Sequence, residues 1–359
     1  MERNYLSYSV DIVGNCNLRC PSCPVGNIDL KNTRPKGFIL KELFYEIADK
    51  IVKETGDLNT WVSLYDWGEP TLHQDLPLFI EYLNKKKLRS RVSSNLNFDA
   101  DFRSIVKSNP TEFKISISGY NEDVYSTTHK RGKIEKVLSN IYKLKKFRDE
   151  FNTSTKFIMN FHVYKHNVGK DFSMMEKLCK EIGFEFRPYP AMLMPIEKIL
   201  SLINLKKKKI SDQVSFKLPQ ITDNDLNLIS LLLTDPVREY DNWDKNNQSE
   251  IKENQICTRK ENKIAIRKDG SVPICCGVYG GEFKVINNFL DNSHEEIQTL
   301  RGNYSLCKVC MENGAHVNWK SDQKGIINKA VTGKGLLSKI LRYYTSSKYK
   351  NILKDYHKN

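Results

Sequence analysis

Three cysteines near the start constrain this 359-residue chain more than any other stretch. They lie in Val13-Gly-Asn-Cys16-Asn-Leu-Arg-Cys20-Pro-Ser-Cys23-Pro, directly after an apolar, strand-like run from Tyr8 to Val13. A loop leaving a strand can fold tightly enough for thiolates at this spacing to converge on one inorganic cluster. A [4Fe–4S] cube takes four ligands, so three local thiols leave one iron open to a non-protein ligand. A zinc knuckle, or three buried free cysteines, are the plainer readings.

The rest of the chain is compatible with an enzyme of one large domain and an appendage, or of two domains. Charged residues make up 28% and apolar residues 39%, as in a globular protein, and there is no run of about eighteen apolar residues for a membrane span. No secretory pattern opens the sequence, so a cytoplasmic location is expected, with the nine cysteines kept reduced for metal. The net charge of +14 is concentrated partly at Lys206–Lys209 and in the last forty residues, which hold ten Lys or Arg against two Asp. No nucleic-acid-binding motif accompanies it, and no nucleic acid partner is expected. Most of these lysines read as a solvated surface. The tail reads as one or two basic amphipathic helices that dock on the fold or touch an anionic membrane surface.

From Tyr8 to about Pro190, strand-like runs alternate with amphipathic helical ones. Strands are expected at Ser7–Val13, Trp61–Tyr65, Arg91–Ser94, Phe113–Ile117, Lys156–Val163 and Glu185–Arg187. Helices are expected at Leu40–Lys53, Leu76–Lys86, Asp101–Lys107, Ile134–Phe151 and Phe172–Ile182. Six such alternations with short connections predict parallel strands in an α/β fold, either a sheet or an open barrel. Cys179 falls at an apolar helical position and reads as core.

The spacing Cys-x3-Cys-x2-Cys resembles that of the radical S-adenosylmethionine (SAM) superfamily. The resemblance implies a partial (β/α)6 TIM-like barrel in which Cys16, Cys20 and Cys23 hold a [4Fe–4S] cluster whose open iron binds SAM. It also implies reductive cleavage of SAM to a 5′-deoxyadenosyl radical that takes a hydrogen atom from the substrate, the electron coming from an external flavodoxin- or ferredoxin-type donor. Ser22 stands where the family often has an aromatic residue. Asp66-Trp67-Gly68-Glu69-Pro70, after the second strand, is similar to the family's Gly-Gly-Glu-Pro segment, with Trp67 in place of the first glycine. Gly68, Glu69 and Pro70 are thereby implied to meet the SAM amino group. Asn95, Ser116 and Ser118, at the ends of the third and fourth strands, match positions that contact SAM in relatives. Arg131, just beyond the fourth strand, matches the arginine that binds its carboxylate. Asn160 and His162 share one face of the fifth strand and could face substrate or adenosine, although a structural histidine is an equal reading.

Five further cysteines gather near the other end. Ile264-Ala-Ile-Arg-Lys-Asp269-Gly270-Ser-Val-Pro-Ile-Cys275 reads as a β-hairpin turning at Asp-Gly. With Cys257 before it and Cys307-Lys-Val-Cys310 after a helix expected at Ser293–Leu300, four thiols could close around one metal centre, zinc by default. The pattern resembles the SPASM auxiliary-cluster region. His316 stands where the full pattern has another cysteine, so the shortened Twitch form fits better. The resemblance implies that Cys257, Cys275, Cys307 and Cys310 ligate a second [4Fe–4S] cluster that transfers electrons or stabilises the domain. Cys276 is left over. It is a candidate catalytic hydrogen-atom donor, as thiols are in radical epimerases, or a replacement for Cys275, or a neighbour with no task.

The expected organisation is a barrel at 1–190, a connecting and substrate-shaping segment at 191–255, a small cysteine-rich auxiliary-cluster domain with a β-hairpin at 256–318 and a basic helical tail at 319–359. The expected reaction is oxidation or epimerisation of a small polar substrate, such as a sugar or nucleotide-linked sugar. Modification of a ribosomally made peptide is the alternative, and a non-catalytic zinc or iron–sulfur protein is the reading from another class.

Overall fold

The computed structural model describes residues 7–27, 34–56, 59–207, 210, 216–234, 236, 257–316 and 323–332. Asp241–Asn254 and the tail beyond Thr332 therefore lie outside the described residues.

Six strands alternate with helices: β1 (Ser7–Val10), β2 (Trp61–Ser63), β3 (Arg89–Ser94), β4 (Glu112–Ile117), β5 (Lys156–Val163) and β6 (Glu185–Pro190). The four-residue helix α1 (Pro24–Asn27) follows the cysteine loop. Then come α2 (Lys41–Thr55), α3 (Leu76–Lys85), α4 (Phe102–Lys107), α5 (Glu122–Thr128), α6 (Ile134–Phe151) and α7 (Lys170–Ile182). The six strands pair in parallel and in chain order, which puts all their C-terminal ends, and the loops that leave them, on one side. This is the expected parallel α/β half-barrel.

Local chemistry sets the boundaries. Phe44, Ile47, Ala48 and Ile51 make the buried stripe of α2, and Phe172, Met175, Leu178, Cys179 and Ile182 that of α7, with Cys179 in the core. Asp101 and Asn121 cap α4 and α5 by accepting from backbone amides three residues on. Asn152 and Gly183 end α6 and α7 in the left-handed region. On β5, Phe157, Met159, Phe161 and Val163 join the core, while Asn160 and His162 point the other way. Each large apolar side chain buried this way contributes about 1.5–3 kcal/mol.

The C-terminal part departs from the sequence reading in its pairing. The first arm of the expected hairpin, β7 (Lys263–Ile266), does not pair as a strand with the second. It joins the main sheet in parallel beside β1, with Ser7 opposite Lys263 and Val10 opposite Ile266. The turn itself forms: Gly270 has φ of +82°, and the Arg267 amide donates to the Ser271 carbonyl at 2.8 Å. The antiparallel hairpin lies one step later, between β8 (Val272–Pro273) and β9 (Lys284–Ile286). The edge of β1 offers a longer apolar partner than two-residue β8 can, and Ile264 and Ile266 complete the barrel core there.

The segment after β6 packs as well as connects. Helix α8 (Ile196–Lys207) and α9 (Asp223–Leu231) form a second core with Ile274, Val278, Phe283, Leu306 and Val309, against which Cys275, Cys307 and Cys310 rest. The remaining helices are α10 (Thr258–Asn262), α11 (His294–Gly302), α12 (Ser305–Glu312) and α13 (Gln323–Thr332). Buried Arg301 ties this region to the barrel by donating to the Lys263 carbonyl at 2.7 Å and to the Ile274 carbonyl at 2.5 Å. Among the described residues no helix is long and apolar enough to cross a membrane.

Candidate functional site

The loop after β1 and the loop after β2 interlock. An added Cβ on Gly68 would sit 1.6 Å from the Val13 carbonyl oxygen, so only glycine permits this approach. The Glu69 amide donates to the Asn15 carbonyl at 2.9 Å, and the Gly68 amide to Asp11 Oδ1 at 3.3 Å. Behind the crossing, buried Arg34 donates to Asp11 and, at 3.3 Å, to Asp66, with Tyr279 stacked 5.4 Å from its guanidinium. The sequence carries no local signal for this three-residue charge cluster, because its members are far apart in the chain.

These contacts hold the cysteine loop over the C-terminal ends of the strands. The Arg19 amide donates to the Lys130 carbonyl, the Cys23 amide to that of Cys20 and the Gly26 amide to that of Cys23, all between 2.9 and 3.1 Å. Cys16, Cys20 and Cys23 line a cavity of about 470 Å³ together with Gly68, Glu69, Asn95, Ser116 and His162. Asn95 Nδ2 donates toward Cys16 Sγ at 3.6 Å and to Asn17 Oδ1 at 3.0 Å. Glu69 is buried and accepts from the Asn95 amide at 2.8 Å and from the Thr71 hydroxyl at 2.7 Å. Burial raises its carboxyl above the usual range, and those donors pull it back.

Not every anticipated residue reaches the cavity. Pro70 is buried in the turn behind Glu69, where it opens the short 3-10 segment Pro70–Leu72. Ser118 is buried beneath the wall, bonded to Thr128 and, at 2.7 Å, to His129 Nδ1. Arg131 is exposed, with φ of +70°, and is not part of the cavity wall. Other wall residues escaped the sequence reading: Asp66, Tyr164, Tyr189, His129, Arg259 and Lys263. Tyr164 and Tyr189 sit at strand ends, which is a usable signal. Lys263 becomes visible only once β7 is placed in the sheet. His162 Nε2 and the Tyr189 hydroxyl are 2.7 Å apart, and burial pushes His162 down to about 4 and His129 to about 3, so both rings are neutral near pH 7.

Cys276, from the second cysteine group, also faces this cavity, and Arg259 Nη1 donates to its sulfur at 3.0 Å. Of the other four thiols, none lines this cavity, and Cys275, Cys307 and Cys310 pack against the second core. Charges on Cys257, Cys275 and Cys307 all act on Cys310, which places the four within electrostatic reach of one another. Trp67 joins the two regions by donating from Nε1 to the Val278 carbonyl at 3.1 Å and meeting Tyr279 edge-on. Among the described residues no group of three or more His, Cys, Asp or Glu is set to hold a single metal ion.

A parallel half-barrel with three thiols gathered in a cavity at the mouth of its first strand defines a class: an α/β fold with a thiol-lined site at its strand ends. Residues 10–167 match the model of the Radical SAM superfamily, and this part of the chain is a radical SAM domain. A curated relative, the cysteine-type anaerobic sulfatase-maturating enzyme of Clostridium novyi (strain NT), is 26% identical over 196 residues. That match covers 51% of this chain and 50% of the relative, so it spans about half the length of each. Among solved structures, Streptococcus suis SuiB bound to precursor peptide SuiA is similar, with a TM-score of 0.53 and 14% identity over 83% of this chain and 66% of that one. A second is native anSMEcpe with bound AdoMet and a Cp18Cys peptide, with a TM-score of 0.50 and 12% identity over 92% of this chain and all of that one. At these identities the two structures speak to the fold.

The superfamily's cofactors are a [4Fe–4S] cluster and SAM, and the donors at the cavity fit them. Burial first, and Glu69 next, push the Cys16 thiol up to about 12; burial also pushes Cys23 up to about 11 and raises Cys20 well above its ordinary value. Thiols so placed ionise only when a cationic centre compensates them, and iron does so. Glu69 and the surrounding carbonyls offer acceptors of the kind an ammonium group requires.

Proposed function

We propose that this enzyme removes a hydrogen atom from a C–H bond of a peptide side chain that enters the cavity opposite Cys16, Cys20 and Cys23. The observation that carries the proposal is the convergence of these three thiols with Gly68, Glu69, Asn95, Ser116 and His162 on one cavity. When bound there, the cluster and SAM supply a 5′-deoxyadenosyl radical. Cys16, Cys20 and Cys23 would hold the cluster. Glu69 takes the SAM amino group, helped by the Gly68 turn that Pro70 closes behind it. Asn95 and Ser116 orient the ribose, and His162, neutral and hydrogen-bonded to Tyr189, donates or accepts without adding charge. Ser118 and Arg131 act from outside the present wall, Ser118 by fixing His129 and Arg131 by swinging in from the loop that Arg19 anchors. Resemblance to the sulfatase-maturating relative supports the peptide substrate.

Cys257, Cys275, Cys307 and Cys310 ligate an auxiliary [4Fe–4S] cluster behind the substrate side of the cavity, in a unit whose core is shared with α8 and α9. An external one-electron donor supplies the reductant. Cys276 is less suited to give a hydrogen atom, because a guanidinium donating to its sulfur favours the thiolate, which has none to give. Oxidation or epimerisation of a sugar or nucleotide-linked sugar is the second reading, favoured by the cationic side chains Arg259 and Lys263 in the wall.

The test is anaerobic reconstitution with iron and sulfide, followed by SAM and dithionite. About eight irons per chain, falling to about four in a Cys16/Cys20/Cys23→Ala variant, are expected. 5′-Deoxyadenosine should form only with the unsubstituted protein. Zinc without iron, or no 5′-deoxyadenosine, overturns the proposal.

A further inference from the structure

The cavity wall carries two cationic side chains from the C-terminal part of the chain. Lys263 opens β7, and Arg259 lies one helical turn before it on α10; both side chains line the cavity that the three N-terminal cysteines also line. Lys263 makes no hydrogen bond or ion pair from its ammonium group with any described residue, although it is only partly exposed. Its charge acts on the Cys276 sulfur, which Arg259 also holds, and on Asp66, which is already bound by Arg34. Asp11, the other acid of that cluster, shares Arg34 and lies within the field of buried Arg267, so two acids there face two guanidiniums without Lys263. Glu69, also in the wall, is held by the Asn95 amide and the Thr71 hydroxyl. Arg259 is fixed by Cys276, which presents its guanidinium to the same space.

Two cations, Lys263 and Arg259, thus face one sulfur, Cys276, and an incoming anion would balance the remaining charge of this half-buried pair. Met192, Met194 and Tyr189 border the same cavity, so water competes poorly for the pair once a ligand fills it. We infer that Lys263 and Arg259 form a subsite for an anionic group of the substrate, a phosphate or a carboxylate, holding it beside β7 while the C–H bond to be broken faces the cysteine loop. The inference rests on the proposed radical SAM reaction and adds to it the charge of the substrate. A planar guanidinium beside a point-charge ammonium suits either oxyanion.

The experiment uses the reconstituted holoprotein with SAM present and measures binding of two probes by calorimetry: inorganic phosphate and the capped acidic residue N-acetylglutamate amide. Binding in the range of about 1 mM is expected for one of them, weakened at least tenfold in Lys263→Met and partly recovered in Lys263→Arg. Preference for phosphate assigns a phosphorylated small substrate, and preference for the capped glutamate assigns an acidic peptide segment. The inference is overturned if neither probe binds, or if Lys263→Met binds both as the parent does. It is also overturned if Lys263→Met loses SAM affinity by the same factor, because Lys263 then serves the SAM carboxylate. Failure of the radical reading is separate: the parent protein would form no 5′-deoxyadenosine from SAM while still binding the anion.

Discussion

Replacing Gly68 with alanine tests how the site is held together. The new methyl carbon would lie 1.6 Å from the Val13 carbonyl oxygen, 2.7 Å from its carbon and 3.0 Å from the Asn15 oxygen. All three are backbone atoms, so no side chain can swing aside. An ordinary C···O contact requires the two loops to separate by more than 1 Å, which breaks the Glu69 amide to Asn15 bond and the Gly68 amide to Asp11 contact. Two lost hydrogen bonds at about 1 kcal/mol each, plus about 1 kcal/mol of overpacking, give roughly 3 kcal/mol. For a chain of this length the entropy of unfolding converts that to a fall in Tm of about 4 °C. Because Asn15 precedes Cys16, iron retention after desalting should fall as well. Gly169→Ala is the control, since a Cβ there meets nothing within 4 Å and φ is not positive. Differential scanning fluorimetry of both variants with iron assays decides the matter. A Gly68→Ala protein that melts with the parent and keeps its iron would refute the interlock.

Other measurements probe the surroundings. Arg34→Met leaves Asp11 and Asp66 buried without their shared cation and should cost about 3–5 kcal/mol in denaturant unfolding; an unchanged midpoint would show that water reaches them. His162 is held near 4 when folded and titrates near 6.5 when unfolded, so the unfolded chain binds more protons between those values and stability falls as pH drops below about 6.5. Between pH 7 and 5 this amounts to about 2 kcal/mol. Glu197, raised to about 7 by burial, works in the opposite direction, so the comparison to make is the parent against His162→Gln, whose pH slope should be shallower. Trp67→Phe removes the bond to Val278 while keeping an aromatic ring; limited proteolysis should then release the C-terminal region several-fold faster, and equal rates would mean that Arg301 and β7 suffice.

The sequence carried the barrel well because its signals are local. Lys156–Val163 and Ile134–Phe151 were bounded correctly by periodicity alone, and the helix stops at Asn152 and Gly183 use ordinary left-handed caps. Ile264–Cys275 shows the limit. The Asp269-Gly270 turn formed as its chemistry requires, yet the partner of Lys263–Ile266 was chosen by an unfilled sheet edge some 250 residues earlier. The site divides in the same way. Cysteine spacing and the Gly-Glu-Pro segment are short-range patterns and pointed to the cavity. Arg34, Lys263 and Tyr189 acquire their neighbours only through tertiary packing, and no window along the chain brings them together. Arg131 shows the converse: its motif is local, but its loop places the side chain in solvent and outside the cavity wall.

The parallel pairing of β1 with β7 also sets an order of events during synthesis. Ser7 leaves the ribosome long before Lys263, its neighbour in the sheet. At about 5–20 residues per second, the outer edge of β1 stays bare for roughly ten to fifty seconds. Throughout that interval the cysteine loop is attached to a strand with unpaired backbone groups on one side and without the wall that later carries Arg259 and Lys263. The nascent cluster loop is thus open from the β7 side until the last third of the chain arrives and closes it.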